Sequence, residues 1–105
     1  MVLTRDYKET IRARVQRDPE FKEALLKEAI QCLISGDVET GKAVLRDFIK
    51  ATTGFDELSK IMNKKPESLI RMLGPKGNPT ATNLFQIIAQ IQKQEGLHLE
   101  VQAAH

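Results

Sequence analysis

The chain has 105 residues, with 16 basic and 14 acidic side chains and a formal net charge of +2. This length suits one domain, so residues 1–105 are interpreted as a single domain. No tryptophan, one tyrosine and four phenylalanines argue against a broad aromatic platform for stacking single-stranded bases. The single cysteine, Cys32, excludes an internal disulfide and a cysteine-based zinc site.

The sequence shows no membrane-spanning or secretory segment. No apolar run approaches the roughly 20 residues of a membrane helix. The N-terminus lacks the apolar core of a signal peptide. We therefore expect a cytoplasmic protein without a membrane partner.

Helical patterns occupy the N-terminal third, residues 1–36. A short amphipathic helix is predicted by apolar residues four apart, at Tyr7, Ile11 and Val15. A second helix is predicted after Asp18-Pro19, an N-cap followed by proline at the first helical position. It carries apolar residues at helical spacing to Ile34, and Gly36 ends it.

Residues 37–95 are predicted to form the rest of the helical core. Asp37 is expected to cap a helix whose apolar face is formed by Val38, Val44, Leu45, Phe48 and Ile49. Two short helices are predicted near 55–62 and 66–73. Two prolines and two glycines within 74–79 exclude helix there. Thr80 then caps a longer helix bearing Leu84, Phe85, Ile88 and Ile91, which Gly96 ends.

The C-terminal residues 97–102 alternate apolar and polar side chains, which predicts a short β-strand. A strand needs a partner to be stable, and the chain offers no other convincing strand. The alternation therefore points to pairing between two subunits or to a cover over the helices.

The segment 55–73 has the features of a helix-turn-helix, the two-helix unit that places its second helix in the DNA major groove. Ser59 is small enough for a close helix crossing, and Asn63 tolerates the left-handed conformation of a tight turn. Aliphatic side chains face each other across the pair, namely Leu58 and Met62 on the first helix and Leu69 and Met72 on the second. Together with the Gly77-Asn78-Pro79 stretch and the long apolar helix that follow it, this spacing predicts a DNA-binding protein.

The second helix supplies the candidate base-reading residues. These are Lys65, Glu67, Ser68 and Arg71. Arginine binds guanine bidentately, glutamate accepts from cytosine, and serine both donates and accepts. The candidate phosphate contacts are Thr53, Lys64, Lys76, Asn78 and Thr80.

The second half of the chain contains the stretches Gly54-Phe-Asp-Glu-Leu, Ser68-Leu-Ile-Arg-Met-Leu-Gly-Pro-Lys-Gly-Asn-Pro-Thr and Asn83-Leu-Phe-Gln-Ile-Ile. These three stretches resemble the prophage-type addiction-module antidote proteins of the lambda-repressor/Cro-like superfamily. The N-terminal half is similar to the same family at Leu3-Thr-Arg-Asp-Tyr-Lys-Glu-Thr, Arg17-Asp-Pro-Glu-Phe and Gly36-Asp-Val-Glu-Thr-Gly-Lys. Asn63 and Phe55 depart from the glycine and glutamine usual in the wider superfamily.

The resemblance implies a fold, a function and a partner. The fold is all-α, a lambda-repressor-like five-helix domain over 37–95 with extra N-terminal helices and the short C-terminal strand. The function is that of an antitoxin that represses its own operon and neutralises a small basic toxin of the RelE-like ribonuclease superfamily. Exposed acids at Glu20, Glu23 and Glu28 would suit such a toxin, and a homodimer would read a pseudo-palindromic operator.

Three other interpretations compete with that of an antitoxin. An enzyme is disfavoured, because His98 and His105 lie in the tail without metal-ligand spacing and Cys32 lies among apolar residues; no metal or cofactor is expected. A protein-interaction module is the serious alternative, in which the basic residues of the turn are merely solvated. A helix-turn-helix regulator without a toxin partner is a further possibility.

Overall fold

The computed structural model of the chain describes residues 11–105, and this part is all-helical. Residues 11–17 are helical (α1) and are followed by five helices: α2 (Pro19–Ile34), α3 (Val38–Ala51), α4 (Phe55–Met62), α5 (Pro66–Met72) and α6 (Ala81–Glu95). No helix among the described residues has the length and apolar character needed to cross a membrane. The predicted Tyr7 of the first helix lies outside the described residues.

Short polar side chains start three of these helices, as the sequence predicts. The carboxylates of Asp18 and Asp37 accept from the backbone N–H groups of Phe21 (3.1 Å) and Thr40 (3.3 Å). The Thr80 hydroxyl accepts from the N–H of Asn83 at 3.1 Å. Each cap satisfies an amide that has no partner within its helix.

The core is a single cluster of buried side chains contributed by α2 to α6. Its fully buried members are Leu26, Ala29, Leu45, Phe48, Ile49, Leu58, Leu69, Leu73, Ile87 and Ile91. Leu25 and Leu33 of α2 pack against this cluster, as expected. The crossing of α2 and α3 is close: a Cβ atom added to Gly41 would lie only 2.6 Å from Cγ of Leu33.

The structure corrects the predicted apolar faces at three positions. Val38 and Ile34 are exposed, and Phe85 is 65% exposed. Helical spacing assigned them to buried faces, but Val38 is the first residue of α3, Ile34 is the last residue of α2, and Phe85 lies in the second turn of α6. Spacing within one helix does not tell which residues another element covers.

The predicted five helices over 37–95 are also wrong, because only α3 to α6 lie in that range. The fifth helix that contributes to the core is α2. Residues 74–80 are irregular, as their prolines and glycines require.

The C-terminal strand predicted at 97–102 is not formed in the single chain. Residues 97–105 have no regular secondary structure, and the described residues contain no second strand to pair with them. The alternation still decides which side chains face inward, since Leu97 and Leu99 pack against the core while His98 and Glu100 are exposed.

Candidate nucleic-acid interface

Helices α4 and α5 are joined by a turn that depends on Asn63. This residue has φ 55° and ψ 47°, the left-handed conformation that asparagine tolerates better than most residues. The N–H of Lys64 donates to the carbonyl of Ser59 at 2.9 Å and closes the turn. Ser59 itself is buried, and its hydroxyl donates to the carbonyl of Asp56 at 2.7 Å.

The inner faces of the two helices are apolar, as predicted. Leu58 and Leu69 are fully buried, and Met62 and Met72 pack against the same core. This burial fixes which side of α5 faces solvent. Its solvent side presents Glu67 and Arg71, both exposed, preceded by the exposed Lys65 at the N-cap.

Four of the predicted contact residues meet in one depression of about 310 Å³. Ser68 and Arg71 of α5 line it together with Lys76 and Asn78 of the following loop, and Met72 and Gly77 complete its wall. Two candidate base-reading residues therefore lie beside two candidate phosphate-binding residues. The sequence did not predict that these four side chains lie together, because residues 74–80 form no helix or strand whose period would place them.

Gly77 brings the loop onto the end of α5. A Cβ at this position would clash with the backbone carbonyl oxygens of Arg71 and Met72, so only glycine fits. The N–H of Gly77 donates to the carbonyl of Gly74 at 3.0 Å, which closes the loop on itself. The loop that carries Lys76 is thus packed directly against the helix that carries Arg71.

A buried lysine of α3 holds this loop in place. The Nζ atom of Lys42 donates to the carbonyls of Gly77 (2.7 Å) and Gly74 (3.2 Å) and lies 3.0 Å from a carboxylate oxygen of Glu39. The Lys42 side chain is only 2% exposed. Three acceptors around one ammonium group satisfy its hydrogen-bonding capacity, which is what allows a charge to be buried.

An arginine one turn further along α3 binds the same region. Nη1 of Arg46 donates to the carbonyl of Leu73 at 2.6 Å, just beyond the last residue of α5. Lys42 and Arg46 therefore bind the carbonyls of Gly77 and Leu73, and Lys42 shares the Gly74 carbonyl with the N–H of Gly77. Neither residue was predicted from the sequence. Lys42 lies three residues before Leu45 and seven before Ile49, a spacing that places it on the apolar face of α3.

The remaining predicted residues do not line the depression. The Thr53 hydroxyl donates to Oε2 of Glu95 at 2.7 Å, and Glu95 also pairs with Lys22 at 3.3 Å. The N–H of Gly54 is already bonded to the carbonyl of Ile49 at 2.8 Å. The Thr80 hydroxyl is engaged as the cap of α6, and Lys64 is half-buried in the turn. Phosphate contacts from these three side chains stay predictions.

The thiol of Cys32 lies 3.7 Å from a carboxylate oxygen of Glu28. Desolvation, and secondly the adjacent Glu28 carboxylate, raise the pKa of the thiol above its ordinary value. A raised pKa lowers the thiolate fraction, and the thiolate is the nucleophilic form. This environment does not activate the cysteine.

Comparison of the chain with protein-family models, curated proteins and solved structures finds no match.

Proposed function

We propose that the protein is a sequence-specific DNA-binding regulator in which α4 and α5 act as a helix-turn-helix. The observation that carries this proposal is the shared depression of Ser68, Arg71, Lys76 and Asn78. Side chains suited to base edges and side chains suited to phosphates occupy one surface, which is the division of roles that DNA recognition needs.

In this proposal α5 enters the major groove with its exposed side. Arg71 binds guanine O6 and N7, and Glu67, Ser68 and Lys65 reach neighbouring base edges. Lys76 and Asn78 bind the flanking phosphates, and their position relative to Arg71 is set by the loop that Lys42 holds. Thr53, Lys64 and Thr80 are proposed as further phosphate contacts.

The test is a gel-shift titration with DNA from upstream of the protein's own gene. Arg71→Ala is expected to cost roughly 1–3 kcal/mol at the specific site and to relax the preference at one base pair. Lys50→Ala is the matched control, because Lys50 is an exposed, positively charged residue two turns beyond Lys42 on α3. Unchanged affinity and unchanged base preference for Arg71→Ala would refute the assignment of α5.

The seven residues of α5 contact too few base pairs for strong discrimination by one copy. We therefore propose a homodimer that reads two half-sites about one helical turn apart. Mass measurement of the protein–DNA complex at limiting DNA is expected to give two chains per operator.

The partner implied by the family resemblance is a small basic toxin, and we propose the acidic side of α2 as its binding surface. Glu20 and Glu28 are exposed, and the half-buried Glu23 lies 3.8 Å from Lys27. Opposite charge steers a basic protein toward such a surface, and salt weakens the effect.

Co-expression with the product of the neighbouring gene tests this proposal. Reversal of Glu20, Glu23 and Glu28 to lysine is expected to abolish rescue from that toxin while circular dichroism stays unchanged. Reversal of Glu57, an exposed acid of α4, serves as the control for charge alone. Full rescue by the triple variant would favour the alternative, a DNA-binding regulator or protein-interaction module that neutralises no toxin.

A further inference from the structure

The tail that follows α6 donates hydrogen bonds to α6 along one edge of its backbone. The N–H of Leu97 donates to the carbonyl of Gln92 at 2.9 Å, and the N–H of Leu99 donates to its side-chain oxygen at 2.8 Å. Between them, the side chain of His98 points to solvent, with Nε2 4.0 Å from a carboxylate oxygen of Glu100. Leu97 and Leu99 are half-buried while His98 and Glu100 are exposed, and this alternation of period two indicates an extended backbone.

The opposite edge of this tail has no backbone partner within the part of the chain that the structure describes. In an extended chain, the N–H and C=O groups of successive residues point to opposite edges. Because Leu97 and Leu99 bond to Gln92, the amides of His98 and Glu100 face away from the helix. No described residue forms a backbone hydrogen bond with either amide. An unpaired edge of this kind is a template for a second strand.

Apolar side chains beside this edge are also uncovered. Val101 is 92% exposed and Ile34 of α2 is 67% exposed. Both line an open groove of about 720 Å³ between α2 and the tail. The free edge thus lies next to apolar surface that remains in contact with water in the single chain.

We propose that two copies of this chain pair through residues 97–102 as antiparallel strands centred on Leu99. The pairing supplies the interface of the dimer proposed above and in that sense rests on the proposed function, although its observations concern the tail alone. His98 of one copy lies opposite Glu100 of the second, and Leu97 lies opposite Val101. Such a contact is self-complementary, as a two-fold interface must be.

Charge and hydrogen bonding select this register. The His98 and Glu100 amides form the bonded pairs, while Leu99 faces its own copy at a non-bonded position, consistent with its N–H being held by Gln92. A shift of two residues in one direction would place Glu100 opposite Glu100, and like charges directly opposite are unfavourable. The same shift in the other direction would place His98 opposite His98 and lose the pairing of His98 with Glu100. A shift of one residue would place apolar side chains opposite polar ones.

Disulfide trapping of the full chain tests the register, in a Cys32→Ser background that removes the native thiol. Mixed His98→Cys and Glu100→Cys proteins are expected to form a covalent dimer on mild oxidation several times faster than either protein alone. Opposed residues lie about 5.5 Å apart between Cα atoms. In a dimer of one variant alone, the two identical cysteines are diagonal neighbours whose Cα atoms are about 7–8 Å apart, at or beyond the reach of a disulfide. Both positions are exposed, so the fold is not affected.

Two single proline substitutions test the hydrogen bonding between the two strands independently. Glu100→Pro removes an amide that faces the second copy and is expected to convert the protein to a monomer. Val101→Pro removes an amide that faces the other way and is expected to leave the dimer intact. Light scattering distinguishes the 11.8 kDa monomer from a species of twice that mass.

Three results would overturn the proposal: a monomeric wild-type chain, equal trapping in all cysteine samples, or equal dissociation by both prolines. These outcomes are separable from failure of DNA binding. A protein that dimerises in the predicted register but ignores operator DNA would refute the proposed function alone.

Discussion

Lys42 is the residue that connects the core of the protein to its candidate DNA surface. It is buried on α3, yet its ammonium group binds carbonyls of the loop that carries Lys76. Its Glu39 partner is largely exposed. The two carbonyl bonds are therefore the interactions that solvent cannot easily replace.

Lys42→Met is expected to lower the free energy of unfolding by about 1–3 kcal/mol, because it leaves the Gly77 carbonyl without its donor while keeping most of the side-chain volume. Lys50→Met on the exposed side of the same helix is expected to change it by no more than about 0.5 kcal/mol. Urea denaturation of the two variants measures the difference. Equal stability would show that the buried contacts of Lys42 are dispensable.

The same substitution is expected to weaken operator binding through the position of Lys76. A double-mutant cycle measures this coupling, since residues that act together give non-additive effects. Lys76→Ala should cost less affinity in the Lys42→Met background than in the wild type. Full additivity would mean that the loop keeps its position without Lys42.

At the scale of elements, the contact that determines the candidate surface is that of the 74–77 loop with the end of α5. Gly77 lies so close to the helix that a methyl group would meet the carbonyls of Arg71 and Met72. Gly74 differs, because a Cβ there would be 3.4 Å from the carbonyls of Ile70 and Arg71, an ordinary contact distance. The two glycines therefore provide a matched pair.

Gly77→Ala is expected to displace the loop and to weaken operator binding, whereas Gly74→Ala is expected to have little effect on either. Backbone carbonyls cannot move aside as a flexible side chain can, so the clash at Gly77 has to be relieved by moving the loop. NMR chemical shifts of Lys76 and Asn78, with gel-shift affinities, measure both effects. Similar shifts and affinities for the two variants would contradict the packing argument.

At the scale of the whole molecule, the net charge of +2 is too small to predict DNA binding. The relevant quantity is the local placement of basic side chains around α5 and its loop. Affinity for DNA should therefore fall with salt according to the number of phosphates contacted by these residues and not according to the net charge.

Lys76→Ala is expected to reduce the slope of log affinity against log salt concentration by about one and to weaken binding to all sequences similarly. Lys50→Ala removes the same charge from another part of the chain and is expected to leave the slope unchanged. Fluorescence anisotropy across a salt series, with specific and unrelated DNA, gives both values. Equal slopes for the three proteins would exclude a phosphate contact by Lys76.

The sequence alone determined the features of this protein that depend on near neighbours. The caps Asp18, Asp37 and Thr80 act on amides three residues away, and each starts the helix predicted for it. Asn63 adopts the left-handed conformation that its turn requires, with φ 55°. These interactions lie within one helical turn, so residue identity and spacing are sufficient to predict them.

Only the tertiary structure decided which residues meet across the chain. Lys42 and Gly77 are 35 positions apart, and nothing in the local pattern links them. Exposure of Phe85 and Ile34 likewise does not follow from their helical spacing. The alternation of residues 97–102 specified two faces but not a strand, because a strand exists only with a partner, and residues 11–105 of the single chain supply none. Burial and pairing depend on the three-dimensional arrangement of elements, and local sequence does not encode that arrangement position by position.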